Sequence, residues 1–237
     1  MADGRPGWEL ISQVEHARLS AELFAAWGNE QVASPLAGAP NGVRDEVLRA
    51  IHHHDDGWSR WDAAPHSDPA HGRPPSFLEM PLDDTLPIWS KSIERCAAIG
   101  PLAAWMVAEH CVQLMANSDS CHEPAAQGWL QQMSNRQSGW FTQWQAVDAR
   151  RHARAVADEA LRWLQQLDAL SLWICFGTAT EWPVEVLATK CKFTRSSPQG
   201  ESITATPWPF SSRSVSLTTD GMQLAAKRYQ SPAEVAE

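Results

Sequence analysis

The 237-residue sequence predicts a mainly α-helical fold with a small β-rich extension at its C-terminal end. Between residues 12 and 175, apolar side chains recur at helical spacing, with capping and stop residues at the ends of the periodic stretches. After Trp182 the chain favours β-branched residues and turns, which is typical of short strands. A hydrophobic content of 43% allows a domain of this length to bury a substantial core. We therefore expect residues 1–180 to form a helical domain and residues 181–237 a short strand and hairpin extension packed on it.

The first half of the chain is predicted to contain two helices and a loop. Ser12, with a glutamate three residues later, forms a capping box at the start of a helix that ends near Gly28. Asn41 is the expected cap of a second helix, and Gly57 is its expected stop. Residues 59–88 contain many prolines and little periodicity, so they predict a long ordered loop.

The second half is predicted to be helical until the extension begins. Pro101 opens a helix that runs to about Asn117, and the Trp- and Gln-rich residues 124–147 predict another. The longest helix is expected between about 149 and 175. Within the extension, the Thr-Asp-Gly sequence at 219–221 indicates a hairpin turn.

Charge and targeting signals narrow the class of partner. The net charge of −9 argues against nucleic acid or a membrane surface, because both require a basic footprint. A small anionic substrate is still compatible with this charge, since a cation inside a pocket makes the local potential positive.

Targeting signals and cysteines indicate the compartment. The N-terminus shows no signal-peptide pattern, and five cysteines without a Cys-x-x-Cys pair indicate reduced thiols in a cytoplasm. The oligomeric state, including a homo-oligomer, stays open.

The sequence HHHDD near the end of the second helix does not present five equivalent side chains. At about 100° per residue, His54 and Asp55 fall on the buried stripe that Ile51 defines. His53 and Asp56 point to solvent by the same count. Helical geometry therefore selects one imidazole and one carboxylate for the interior.

Two other helices contribute similar inward groups. His16 lies in the middle of the apolar stripe of the first helix, and Asp168 lies within the apolar segment LQQLDALSLWICF. A buried ionised carboxylate is costly without a partner, so Asp168 predicts a nearby cation or strong donor. A divalent metal, Fe, Mn, Zn or Mg, would satisfy all four groups at once. The alternatives are that His16 is a hydrogen-bonded core histidine and that Asp168 accepts from a tryptophan indole.

The segment AIHHHDDGW, residues 50–58, resembles the central helix end of HD-superfamily proteins, where His-Asp-x-Gly follows apolar residues. In that superfamily an earlier helix supplies a histidine and a later helix supplies a final aspartate. Here QVEHARLS offers His16 and LQQLDALSL offers Asp168 at the corresponding points. The resemblance implies an HD-domain-like helical bundle that holds a divalent metal through these two residues and the His54-Asp55 pair.

The chain also resembles a small bacterial family in which His-Asp-Asp-Gly-Trp is followed by Pro-Trp-Pro-Phe, here residues 207–210. It departs from many phosphohydrolases of the superfamily in having Trp58 where they have lysine. Dinuclear members add histidines between the His-Asp pair and the final aspartate. His110 is the best candidate for such a ligand, with a core role equally open, and His122 and His152 are weaker ones.

The function that this resemblance implies is a metal-dependent phosphohydrolase. It would act on a small phosphorylated metabolite or nucleotide, with metal-activated water as the nucleophile. Asp55 would be essential, and Glu15 or Asp56 would assist proton transfer because they adjoin the ligands in sequence. Three arginines are candidates for holding the phosphate: Arg18, Arg60 and Arg73.

Two alternatives remain. Some HD proteins hold two irons and perform oxygenase chemistry, which here would require His110 and another histidine. A degenerate HD fold could instead bind a ligand or partner through its 13 tryptophans without catalysis. Trp58 in place of the lysine of many phosphohydrolases favours both alternatives. The intact set of four metal ligands disfavours the non-catalytic one. Because Asp55 and Asp168 are like charges, we also expect that removing Asp168 leaves the metal-free protein equally stable or more stable.

Overall fold

A computed structural model describes residues 7–64, 66–68, 70–176, 181–186, 189–196 and 202–236. Within them the helices are α1 (Gln13–Ala26), α2 (Val43–His53), α3 (Ser59–Asp62), α4 (Leu82–Ala97), α5 (Pro101–Ala116), α6 (Pro124–Val147), α7 (Arg154–Phe176) and α8 (Pro232–Ala236). The strands are β1 (Gly7–Ile11), β2 (Glu181–Val186), β3 (Thr189–Arg195), β4 (Ile203–Thr206) and β5 (Gly221–Ala225). The prediction of a mostly helical chain with a small C-terminal β region is confirmed.

Helix α5 lies at the centre of the bundle. It contacts α2, α4, α6 and α7, and α1 packs against α2 and α7. Residues 102–108 of α5 are all buried, because neighbouring helices cover most of its circumference. Helices α1, α2, α5 and α7 therefore surround one shared interior region.

The helix starts differ in detail from the expected caps. The Ser12 side chain accepts from the backbone of Glu15 at 3.1 Å, but the Glu15 carboxylate binds Arg18, so only half of the capping box forms. Asn41 does not cap α2, because Gly42 holds that position in the left-handed region at φ 84°. Helix α7 begins five residues later than expected, since the Asp148 side chain accepts from two backbone N–H groups and holds a turn before it.

The prediction of a continuous loop over 59–88 was wrong at both ends. The short helix α3 begins at Ser59, and α4 begins at Leu82 with Pro87 inside it. The prolines concealed the amphipathic pattern of α4, which buries Ile93 and Cys96 in the common core. Within the described residues, no helix has the length and apolarity to cross a bilayer.

The β region includes a strand that the sequence analysis missed. Strand β1 pairs antiparallel with β5, from Gly7 opposite Ala225 to Ile11 opposite Gly221. Gly221 therefore begins a strand that pairs with the other end of the chain, and the predicted hairpin at 219–221 does not form. Strands β2, β3 and β4 form a separate antiparallel sheet in that order. The predicted domain boundary after residue 180 falls at 177–180, outside the described residues.

The Pro-Trp-Pro-Phe segment fastens the β region to the end of α1. The Phe210 ring lies 5.5 Å from that of Trp27, and the Gly28 N–H donates to the Pro209 carbonyl oxygen at 2.8 Å. Asn29 donates to the Trp208 carbonyl oxygen at 2.8 Å. These contacts give the segment a structural role.

Candidate metal centre

Helices α1 and α7 and the C-terminal end of α2 bring four side chains together, called here the His/Asp cluster: His16, His54, Asp55 and Asp168. His16 Nε2 lies 2.8 Å from Asp55 Oδ2 and 3.7 Å from Asp168 Oδ1. His54 Nε2 lies 3.7 Å and 3.2 Å from the same two oxygens. Both imidazoles therefore direct the same nitrogen at the same pair of carboxylates.

The other nitrogen of each imidazole has its own partner. His54 Nδ1–H donates to the Ile51 carbonyl oxygen at 2.7 Å. His16 Nδ1 lies 2.9 Å from Ser171 Oγ, and that hydroxyl donates to the Asp168 carbonyl oxygen at 2.8 Å. With its hydrogen on the carbonyl, Ser171 accepts from His16 Nδ1–H. Nδ1 is thus the atom that bonds to the protein on both rings and Nε2 faces the two carboxylates, which is the orientation that metal-binding histidines adopt.

Close packing against α4 holds the end of α2 in place. Helix α2 ends at His53, and a 3-10 turn over Asp56–Trp58 follows it. The Gly57 N–H donates to the buried Ser92 hydroxyl at 3.0 Å, and a Cβ on Gly57 would lie 2.0 Å from the Ile88 carbonyl oxygen. Only glycine fits there, so this contact explains the glycine of His-Asp-Asp-Gly as a support for the residues before it.

The donor spacing of His16, His54 and Asp55 fits a divalent cation, and Asp168 lies outside this group of three. Ligand atoms that bind one ion at about 2.0–2.2 Å lie about 3–3.5 Å from one another. The nitrogen-to-oxygen distances across the His/Asp cluster run from 2.8 to 3.7 Å. Within the described part of the chain, one donor atom each from His16, His54 and Asp55 lie within 4.8 Å of one another. With both imidazoles deprotonated at Nε2, the two carboxylates would also supply the two negative charges that balance a divalent ion.

Without a cation, protons take over part of this role. Burial lowers the pKa of His54, but the Asp55 charge and the Asp168 hydrogen bond outweigh it and raise this pKa from 6.5 to about 9. Burial raises the pKa of Asp168, and the hydrogen bond from His54 outweighs this and holds it below its ordinary value. In the metal-free cluster, protonated His54 and ionised Asp168 therefore form an ion pair. A bound cation would replace the proton of His54.

His110 lies beside the cluster on α5. Its Nε2 is 3.6 Å from Asp168 Oδ2, whereas the other oxygen of Asp168 faces His16 and His54. Its Nδ1 is buried and has no hydrogen-bond partner among the described residues. Burial lowers the pKa of His110, so its imidazole is neutral and free to act as a ligand.

The two carboxylates suggested for proton transfer are held by basic partners outside the cluster. Glu15 binds Arg18 at 2.9 Å and accepts from the backbone of Asp220 at 3.2 Å. Asp56 Oδ2 lies 3.0 Å from His53 Nδ1 and 3.4 Å from Arg95 Nε. Among the described residues, neither carboxylate contacts a member of the His/Asp cluster.

The other candidates from the sequence lie in varied surroundings. Arg18 and Arg73 are in ion pairs with glutamates, whereas Arg60 is exposed and has no such partner within the described residues. Trp58 is buried, with its ring 6.4 Å from that of Phe77. His152 stacks on a tryptophan ring and donates to a backbone carbonyl oxygen.

A cleft between α5 and α7 leads to the cluster. Its volume is about 410 Å³, and its lining residues are His110, Gln113, Leu114, Asn117, Gln165, Asp168 and Ala169. The sequence analysis missed these amides and also Ser171. Ser171 follows Asp168 by one helical turn inside an apolar segment, and this spacing was the only signal for it in the sequence.

The sequence profile of a family described as "Protein of unknown function (DUF3891)" matches residues 1–226. No curated protein and no solved structure matches the chain.

Proposed function

This chain belongs to the DUF3891 family, and we propose that it is a metal-dependent phosphohydrolase of the HD type. It acts on a small phosphorylated metabolite or nucleotide. The single observation that carries the proposal is the His/Asp cluster, in which two imidazoles with fixed Nδ1 atoms direct Nε2 at two carboxylates. A divalent cation would neutralise both carboxylates at once, whereas in its absence each of them relies on a hydrogen bond with an imidazole.

Each member of the cluster has a defined task in this proposal. His16 and His54 direct Nε2 toward the centre, where it would bind a divalent cation in place of a proton, and Asp55 and Asp168 would balance the charge of that cation. When bound, that ion would stabilise charge on a phosphoryl oxygen and favour deprotonation of water. The side chains of Asp55 and Asp168 are 15% and 14% exposed, so the two carboxylates are not sealed from solvent.

The resemblance of residues 50–58 to HD proteins supports phosphoryl chemistry, and the net charge of −9 supports a small substrate over a nucleic-acid polymer. The protein needs no membrane contact for this reaction. Such a substrate fits a cytoplasmic enzyme, which the unpaired cysteines also favour.

A second candidate function, two-iron oxygenase chemistry, has one observation in its favour. His110 Nε2 faces Asp168 Oδ2, so Asp168 could be shared between two ions. The histidines within 4 Å of Asp168, among the described residues, are His16, His54 and His110. A second ion would thus have a single imidazole, which favours the one-ion hydrolase.

Activity assays with matched aspartate variants test the proposal. Purified protein loaded with Mn²⁺, Mg²⁺, Fe²⁺ or Zn²⁺ is assayed on sugar phosphates, nucleotides and model phosphodiesters. We expect hydrolysis with at least one ion, its near-complete loss in Asp55→Asn, and its retention in Asp45→Asn, an exposed position in the first turn of α2.

Different failures have different meanings. Inactivity of the loaded protein on the whole panel contradicts hydrolysis. Two irons per chain would then favour the oxygenase, and one ion or none would favour a ligand- or partner-binding role. Equal losses in both aspartate variants would show that the effect of Asp55→Asn is not specific to the cluster.

A further inference from the structure

The cleft between α5 and α7 is lined mainly by uncharged polar groups, and these groups indicate what part of a substrate it could bind. It runs from His110 to Asn117, eight residues along α5 and its C-terminal cap, or about 10 Å. Its inner end contains His110 and Asp168, beside the His/Asp cluster. A molecule whose reacting group lies at the cluster would therefore extend its remaining part along the cleft.

Hydrogen bonds fix the orientation of the carboxamides in this cleft. The Glu109 carboxylate only accepts, and it receives Gln113 Nε2 at 2.9 Å and Gln137 Nε2 at 2.7 Å. Gln113 must then turn its carbonyl oxygen outward, where Gln165 Nε2 donates to it at 2.7 Å. As a result Gln165 keeps its Oε1 and one N–H without partners among the described residues.

The side-chain atoms of the cleft that remain available to a ligand are uncharged amide acceptors and donors. Asn117 Nδ2 donates to the Gln113 backbone carbonyl at 2.7 Å, which leaves its own Oδ1 for a ligand. Leu114 is 46% exposed and offers an apolar surface on the same helix. None of the seven lining residues is a lysine or arginine, and Asp168 is the one acid among them. Among these lining residues, a second anionic group would therefore find no lysine or arginine to bind.

From this polarity we propose that the cleft binds an uncharged, hydrogen-bonding part of the substrate, with Gln165 as the residue that selects it. The substrate class is a phosphate ester whose single anionic group reacts at the cluster and whose remaining part carries adjacent donors and acceptors, such as hydroxyls or an amide. Compounds with a second phosphate or carboxylate are excluded. The inference rests on the proposed function for the reacting group, whereas the contents of the cleft are independent of metal.

Binding to the metal-free protein tests the cleft separately from catalysis. Uridine and inositol, two uncharged probes, and inorganic phosphate are titrated while side-chain amide resonances are followed by NMR. We expect at least one uncharged probe to shift the amide signals of Gln113, Asn117 and Gln165, and phosphate to leave them unchanged. The variant Gln165→Glu keeps the shape, adds a charge and removes both side-chain N–H donors, including the one that binds Gln113 Oε1, so it should weaken binding about tenfold.

The matched control is Gln166→Glu. Gln166 is the next residue on α7, does not line the cleft, and accepts from the Glu185 backbone at 3.1 Å, an interaction that a glutamate retains. Probe binding should be unchanged in this variant. In the loaded enzyme, Gln165→Glu should raise KM about tenfold for an uncharged phosphate ester and leave kcat unchanged.

The inference is overturned if neither uncharged probe shifts these signals, if phosphate shifts them in the metal-free protein, or if Gln165→Glu binds the probes as well as wild type does. Absence of hydrolysis together with probe binding would refute the proposed function and leave the cleft assignment in place. Hydrolysis without binding of either probe would support the proposed function and refute the cleft assignment.

Discussion

Replacing Asp168 by asparagine tests the electrostatics of the metal-free centre. The substitution keeps the shape of the side chain and removes its charge. In the structure, Asp168 accepts from His54 at 3.2 Å and lies 3.7 Å from His16 Nε2. We therefore expect Asp168→Asn to destabilise the metal-free protein at neutral pH, contrary to the expectation from the sequence.

The magnitude follows from the pKa of His54. A rise from 6.5 to about 9, at about 1.4 kcal/mol per pH unit, amounts to about 3 kcal/mol. Asp55, Asp168 and the Ile51 carbonyl share this contribution, so the loss of Asp168 should cost about 1–2 kcal/mol. Because the folded-state pKa is the higher one, the stabilisation is complete below pH 6.5 and is lost as the pH rises through about 9.

The assay is denaturant unfolding in the presence of a chelator at several pH values from 6 to 10. The free energy of unfolding of Asp168→Asn should fall below that of wild type at pH 6, and the difference should vanish or reverse near pH 10. Above pH 9 Asp168 is only a second buried negative charge beside Asp55. The control is Asp158→Asn on the same helix, whose largely exposed ion pair with Arg154 should contribute less than 1 kcal/mol. Equal stability of wild type and Asp168→Asn at every pH would refute the ion pair.

Three further predictions concern the same centre. Because a cation must displace the proton of His54, metal affinity should rise by up to about tenfold per pH unit from pH 7 to 9. Competition with a chelator of known affinity measures this, and an affinity that does not change with pH would contradict it. Ser171→Ala removes the acceptor of His16 Nδ1 and should weaken metal binding about 10- to 100-fold without lowering the number of ions at saturation; unchanged affinity would show that the hydroxyl does not orient the ring. Gly57→Ala places a Cβ against the Ile88 carbonyl oxygen and should lower the free energy of unfolding by about 1–3 kcal/mol in chemical denaturation; a neutral effect would mean that α4 shifts freely.

The orientation of neighbouring residues at the end of α2 was predictable from helical periodicity. His54 is 2% exposed and directed at the cluster, whereas the His53 side chain is 38% exposed and contacts Asp56 on the outer side. A rotation of about 100° per residue separates such neighbours whatever the rest of the fold does. Local geometry therefore sufficed for His53 and His54. It was wrong for Asp56, whose side chain is only 13% exposed because it lies in the turn after α2 and contacts His53 and Arg95.

Features that depend on distant parts of the chain were not predictable in this way. The pairing of β1 with β5 joins residues 7–11 to 221–225, and no local pattern identifies that partner. The position of the His54 imidazole between Asp168 and Asp55 is also set by tertiary packing. The sequence therefore indicated two like charges, whereas the structure shows an ion pair. Prolines in 59–88 hid α4 because its stability comes from its buried face.

Metal stoichiometry in adjacent histidine variants tests the central claim most directly. Chelator-treated wild type, His54→Gln and His53→Gln are dialysed against Mn²⁺ or Zn²⁺, and bound ions per chain are measured by elemental analysis. The His/Asp cluster predicts at least one tightly bound ion in wild type and in His53→Gln, and its loss in His54→Gln. Wild type without bound metal, or His54→Gln with the same content as wild type, would contradict a metal centre at this cluster.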